Sequence, residues 1–181
     1  MKNRQTGFLG IFVLAVLVGV WGCGESQTTM QTANSFQKIE SADECHLCGM
    51  VIEPFPGPKA ELFEPVDGKP VARKFCSTRD MLAYYFQPEN RHNVLEIYVH
   101  DMALASWEHP GNEHLIDARK AWFVAGSSRQ AAMGMTLASF ASQADAESFS
   151  KEFGGRILAF DQLELNALQD SSAMEPAHHE H

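Results

Sequence analysis

Phe75-Cys76-Ser77-Thr78-Arg79-Asp80 and Phe140-Ala141-Ser142-Gln143-Ala144-Asp145 set the same Phe-x-Ser-x-x-Asp block at two points of the chain. A serine followed three residues later by an aspartate starts a helix. The hydroxyl accepts from an otherwise unpartnered N–H of the first turn, and the carboxylate sits at the positive end of the helix. Outward from the first block, Lys59 to Phe63 and Val71 to Phe75 alternate with period two around a turn at Gly68, which predicts a hairpin. The helical segment Met81 to Phe86 follows and ends before Pro88. Around the second block, Val94 to Val99 and Ala121 to Ala125 are predicted strands. A helix runs through Phe153 to a stop at Gly154-Gly155, and Arg156 to Phe160 supplies a closing strand. The prediction is an α+β body of two small ββα-type units, over residues 44–92 and 93–168. Duplication and chance recurrence of a common cap both fit the pattern at this level.

The rest of the 181 residues frames that body. Hydrophobic residues make up 45% and charged residues 20%, enough apolar material to bury a core. A net charge of −9 without a concentrated basic cluster argues against nucleic acid as a partner. Lys2 and Arg4 precede an apolar run from Gly7 to Gly22, too short for a typical spanning helix and flanked like a secretory signal peptide. The close of that run, Trp21-Gly22-Cys23, resembles a bacterial lipoprotein processing site. The resemblance implies removal of residues 1–22 as signal peptide, a lipid on Cys23 and an exported domain. With Gly24 rather than Asp after that cysteine, the resemblance further implies the outer membrane as the anchor site. Residues 23–43 read as a polar tether, and residues 169–181, ending His178-His179-Glu180-His181, as a solvated, disordered tail.

Sulfur carries the chemistry. Cys45-His46-Leu47-Cys48-Gly49-Met50 places two thiols, an imidazole and a thioether within six residues. Soft thiolate and thioether donors select Cu(I), and there is no second Cys-x-x-Cys pair of the kind that favours zinc. Gly49 permits the tight backbone that turns Met50 toward the cysteines. The same pair also reads as a disulfide or as an exported thiol-disulfide oxidoreductase using Cys45 and Cys48, since exported cysteines meet an oxidising environment. His46 reads as a solvent-facing spacer. Farther along, His100 and Met102 lie two residues apart at the end of a predicted strand and so share a face. Met133-Gly134-Met135 echoes Cys48-Gly49-Met50. Cys76, just before a helix cap, is a position where a thiol pKa can fall, and it reads equally as a buried small residue or a disulfide partner.

Glu44-Cys45-His46-Leu47-Cys48-Gly49-Met50, Phe55-Pro56-Gly57-Pro58-Lys59-Ala60, Lys74 through Asp80, Tyr98-Val99-His100-Asp101-Met102 and Gly134 through Phe140, in this order, resemble the NosL family of nitrous oxide reductase accessory lipoproteins. The resemblance covers about Cys45 to Leu165. It implies two homologous ββαβ units similar to part of organomercurial lyase. It also implies a periplasm-facing, non-enzymatic Cu(I) metallochaperone that supplies the copper centres of nitrous oxide reductase. The implied partners are the copper ion, the reductase, and a membrane maturation complex with an ABC transporter and a β-helical protein. The implied ligands begin with Cys48 and Met50, and Met102, Cys45, Met133 and His100 follow as candidates for the third. No motif identifies a docking face.

Overall fold

The computed structural model describes residues 36–168; the signal peptide, Cys23 and the His-containing tail expected from the sequence lie outside them. Two larger antiparallel sheets, one two-stranded ladder and their helices make up this α+β body. Strand β1 (Ala60–Val66) turns into β2 (Lys69–Phe75) through Asp67-Gly68, both with positive φ, the hairpin turn whose twist matches that of paired strands. Helix α1 (Thr78–Tyr85) follows, capped by Ser77, whose hydroxyl accepts from the Asp80 N–H. A short helix α2 (Pro88–Arg91) leads to β3 (Glu96–His100), which pairs with the free edge of β1. Strand β4 (Leu115–Asp117) completes a sheet of order β2-β1-β3-β4.

The second sheet repeats that connectivity. Strand β5 (Trp122–Ala125) is central, between β8 (Ala138–Phe140) and β9 (Arg156–Ala159), and α3 (Gln143–Phe153) links the two outer strands. Ser142 caps α3 as Ser77 caps α1. A two-residue ladder of β6 (Gln130–Ala131) and β7 (Gly134–Met135) projects between β5 and β8. The sheets are joined where the Met102 N–H donates to the Ser139 carbonyl and the Ser139 hydroxyl to the His100 carbonyl.

Three sequence expectations change. The strand predicted to open the second unit, Val94 to Val99, is β3, and its pairing with β1 carries the first ββαβ path past residue 92 to His100. Cross-strand hydrogen bonding, invisible to local periodicity, decides the assignment. The tether predicted through Asp43 is part of the body from Phe36. Ile39 is buried, with its N–H and carbonyl both on the Asn112 side chain, and the Gln37 N–H donates to the Glu61 carboxylate. Strand β1, predicted to alternate between core and solvent, is buried on both faces through Glu64. Ala60 and Leu62 enter the main core with Met81, Leu82 and Ile97. On the other face, Gln37 covers Glu61, and Lys59 donates to the Phe55 and Pro56 carbonyls. The cost of burying Glu61, and Lys59 just before the strand, is offset in part by these hydrogen bonds.

Candidate metal centre

The Cys45–Met50 loop is closed on itself and fastened to β2. Cys45 N–H donates to the Met50 carbonyl at 2.8 Å and Gly49 N–H to the Cys45 carbonyl at 2.8 Å, while an isolated bridge joins Glu44 to Val51. Gly49 has φ +73°, a left-handed conformation in which any side chain would be strained. His46 N–H donates to the Lys74 carbonyl, which draws the loop to the end of β2. Two residues on, Cys76 stands between β2 and the Ser77 cap, and Asp80 lies one turn into α1. Thr78 N–H, donating to the Pro58 carbonyl, fixes that helix start from the other side.

These contacts assemble four groups that sequence distance separates. One ligand atom each from Cys45, Cys48, Cys76 and Asp80 lies within 4.8 Å of the others. The Cys48 and Cys76 sulfurs are 3.6 Å apart, and the thiols of Cys76 and Cys45 donate to Asp80 Oδ2 at 3.3 and 3.6 Å. All three are free thiols, so Cys45 and Cys48 are not joined here. Cys45, Cys76 and Asp80 are buried and Cys48 is half-buried, so the cluster has one open side. Leu47 and Val51, flanking that side in sequence, are 48% and 40% exposed.

Hydrogen bonding and burial set the three thiols apart. Hydrogen bonding from Cys76 brings the Cys45 thiol down to about 5. The same contact, then burial and the Asp80 carboxylate, push Cys76 up, the reverse of the depression expected for a thiol before a helix cap. Local helix position is overridden by burial and the crowding of acidic groups. Burial also raises Cys48. Buried Lys59 is a nearby cation: burial draws its ammonium down to about 8, opposed by the acidic side chains of Cys76 and Glu53. Three sulfurs and a carboxylate, crowded and short of positive charge, suit a thiophilic cation.

The other candidates fall elsewhere. Met50 ends the loop, half-buried, its carbonyl held by Cys45. His46 is exposed as expected, its ring edge-on to Tyr84 at 5.1 Å. His100 is fully buried, its Nδ1 3.0 Å from the Lys59 N–H and its Nε2 3.3 Å from the Gly111 carbonyl, so backbone partners occupy both ring nitrogens. Burial draws its pKa down to about 4. It is a neutral core histidine. Met102 does not share its face, because β3 stops at His100 and the chain turns. Met102 packs on the second core with Val124, Ala138 and Phe140, apart from the cluster that holds Cys45 and Cys76. Met133 is 48% exposed at the tip of the β6–β7 hairpin, beside Gly134 with φ +87°. The residues that sequence reasoning left out of the site are Cys76 and Asp80. Their signal was present as a cysteine before the cap and an acid four residues later, on one side of a helix start.

A sequence profile of the NosL family matches residues 36–168. The copper-binding lipoprotein NosL of Stutzerimonas stutzeri is 44% identical over 165 residues, 90% of this chain and 84% of that protein. The copper-binding lipoprotein NosL of Achromobacter cycloclastes is 41% identical over 117 residues, 63% of this chain and 60% of that one. The crystal structure of the copper chaperone NosL from Shewanella denitrificans superposes with a TM-score of 0.71 at 47% identity. The match covers 74% of this chain and 98% of that one.

Proposed function

The chain belongs to the NosL family, and on that premise we propose that it is a lipid-anchored, periplasm-facing chaperone that binds Cu(I) and delivers it for assembly of the copper centres of nitrous oxide reductase. The observation that carries the reading is the sulfur cluster: Cys45, Cys48 and Cys76 within 4.8 Å of one another, with Cys48 on the open side. Cu(I) accepts few, soft, polarizable ligands. A site that buries most of them and leaves one accessible can hold the ion and still admit a ligand from the recipient. Cys48 and Met50 are the first ligands of the proposal, and Cys45 and Cys76 add the neighbouring sulfurs. Exposed Leu47 and Val51 give an incoming protein an apolar rim to exclude water during exchange. The anchor is Cys23, on the outer membrane, and the proposed recipients are the reductase and its ABC-transporter and β-helical maturation complex.

The test is an anaerobic Cu(I) titration of the reduced chain in detergent against a competing chelator. One Cu(I) per chain is expected, with affinity lowered about tenfold or more in both C48S and M50L. Affinity indifferent to both changes would overturn the assignment. Thiol exchange that survives in M50L while copper binding is weak throughout would favour an oxidoreductase. For delivery, a strain lacking this chain is expected to accumulate reductase with unfilled copper centres, restored by the wild type and not by C48S.

A further inference from the structure

The copper reading gives the three thiols one role and leaves open what the cluster does without metal in an oxidising compartment. We propose that Cys48 and Cys76 form a reversible disulfide that latches the apo site shut. The proposal rests on the copper reading for its purpose and on sulfur geometry for its chemistry.

The two sulfurs already touch at 3.6 Å, and a bond requires approach to about 2.05 Å. Cys48 sits on a closed loop whose backbone is tied to β2 through His46 and Lys74, so its reach toward Cys76 is set by the fold. Access also ranks the thiols. Cys48 is half-buried, whereas Cys45 is 2% and Cys76 0% exposed, so a solute disulfide meets Cys48 first. Cys76 is placed to resolve the adduct, because it lies against Cys48 on one side and against Asp80 Oδ2, at 3.3 Å, on the other.

The oxidant is a small-molecule disulfide. The Cys48 sulfur attacks it, forming a mixed disulfide and releasing one small thiol, which carries away the Cys48 proton. The Cys76 sulfur then attacks the Cys48 sulfur. The protein disulfide forms, the second small thiol leaves, and the Cys76 proton passes by way of Asp80 Oδ2 to that leaving group. Two protein thiols are oxidised by two electrons while one small disulfide becomes two thiols. The latch removes the accessible ligand and its neighbour from the metal site together. Bound Cu(I), by occupying both sulfurs, blocks the reaction, so the latch closes only on the empty chaperone.

The full chain in detergent, reduced and freed of metal, is exposed to glutathione disulfide, alkylated in denaturant and peptide-mapped without reduction. The expected map joins Cys48 to Cys76 and finds Cys45 alkylated. Cu(I) uptake falls about tenfold or more and returns on treatment with a phosphine. C45S forms the same link, and Cu(I)-loaded protein forms none. A map joining Cys45 to Cys48, or three alkylated thiols with undiminished copper uptake, overturns the latch. A chain that links Cys48 to Cys76 yet binds no Cu(I) when reduced overturns the copper reading, with the pairing intact.

Discussion

Replacing Glu61 with glutamine isolates the cost of one buried carboxylate. Glu61 lies in the middle of the first sheet with no exposed surface. Its Oε2 accepts from the Gln37 N–H, and its Oε1 has no partner among the described residues. Lys74, paired with it across β2, sends its ammonium to the Lys38 carbonyl and to Asp43. Burial raises the Glu61 carboxyl from 4.5 to about 7. The folded chain thus holds this proton more tightly than the unfolded chain. The stability that this provides is complete below pH 4.5 and is lost as pH rises through 7. The loss is about 3 kcal/mol at alkaline pH. The glutamine of E61Q never ionises, but its amide meets no acceptor where Oε1 stood, a cost of roughly 1–3 kcal/mol at every pH. Absolute stability therefore mixes two effects, and the pH dependence of the difference separates them. Thermal unfolding followed by circular dichroism is expected to show E61Q gaining on the wild type by about 3 kcal/mol between pH 4.5 and 8.5, roughly 10 °C in Tm. A difference that stays flat with pH, or moves toward the wild type, would refute the buried ionisation.

His100 carries the opposite sign. Its pKa is drawn from 6.5 to about 4, so the unfolded chain takes the proton first and stability is lost as pH falls from 6.5 through 4, by roughly 3 kcal/mol. NMR of the imidazole nitrogens should find the ring neutral at pH 5, and a midpoint near 6.5 would contradict its burial. The two glycines after α3 differ in what surrounds them. At Gly155, with φ +101°, a Cβ would stand 2.7 Å from the Ala125 carbonyl oxygen and 2.7 Å from Val124 Cγ1, whereas at Gly154, with φ +73°, no described residue lies within 4 Å. Urea unfolding should show G154A losing about 1 kcal/mol and G155A clearly more, about 3 kcal/mol. Equal losses would mean that backbone conformation alone matters at both.

Much of the body was legible locally. Ser77 and Ser142 announce α1 and α3 because an N-cap is a contact within four residues, and Asp67-Gly68 sets the β1–β2 hairpin for the same reason. The Cys45–Met50 motif likewise declared soft-metal chemistry by residue type and spacing alone. What pairs across long separations was not legible. Period-two patterning marks β3 as a strand without naming its neighbour, and only the hydrogen bonds to β1 put it in the first sheet. His100 and Met102 look like one face of a strand until the chain turns after His100 and sends them to different surroundings. Cys76 and Asp80 lie 28 or more residues beyond Cys48, and they join it only because the His46 N–H finds the Lys74 carbonyl and the Thr78 N–H finds that of Pro58. Sequence by itself determined the helix starts and the turns, since these depend on neighbours along the chain. Tertiary structure decided which sulfurs share a site and which charges are buried, because both follow from contacts that exist only once the strands have paired.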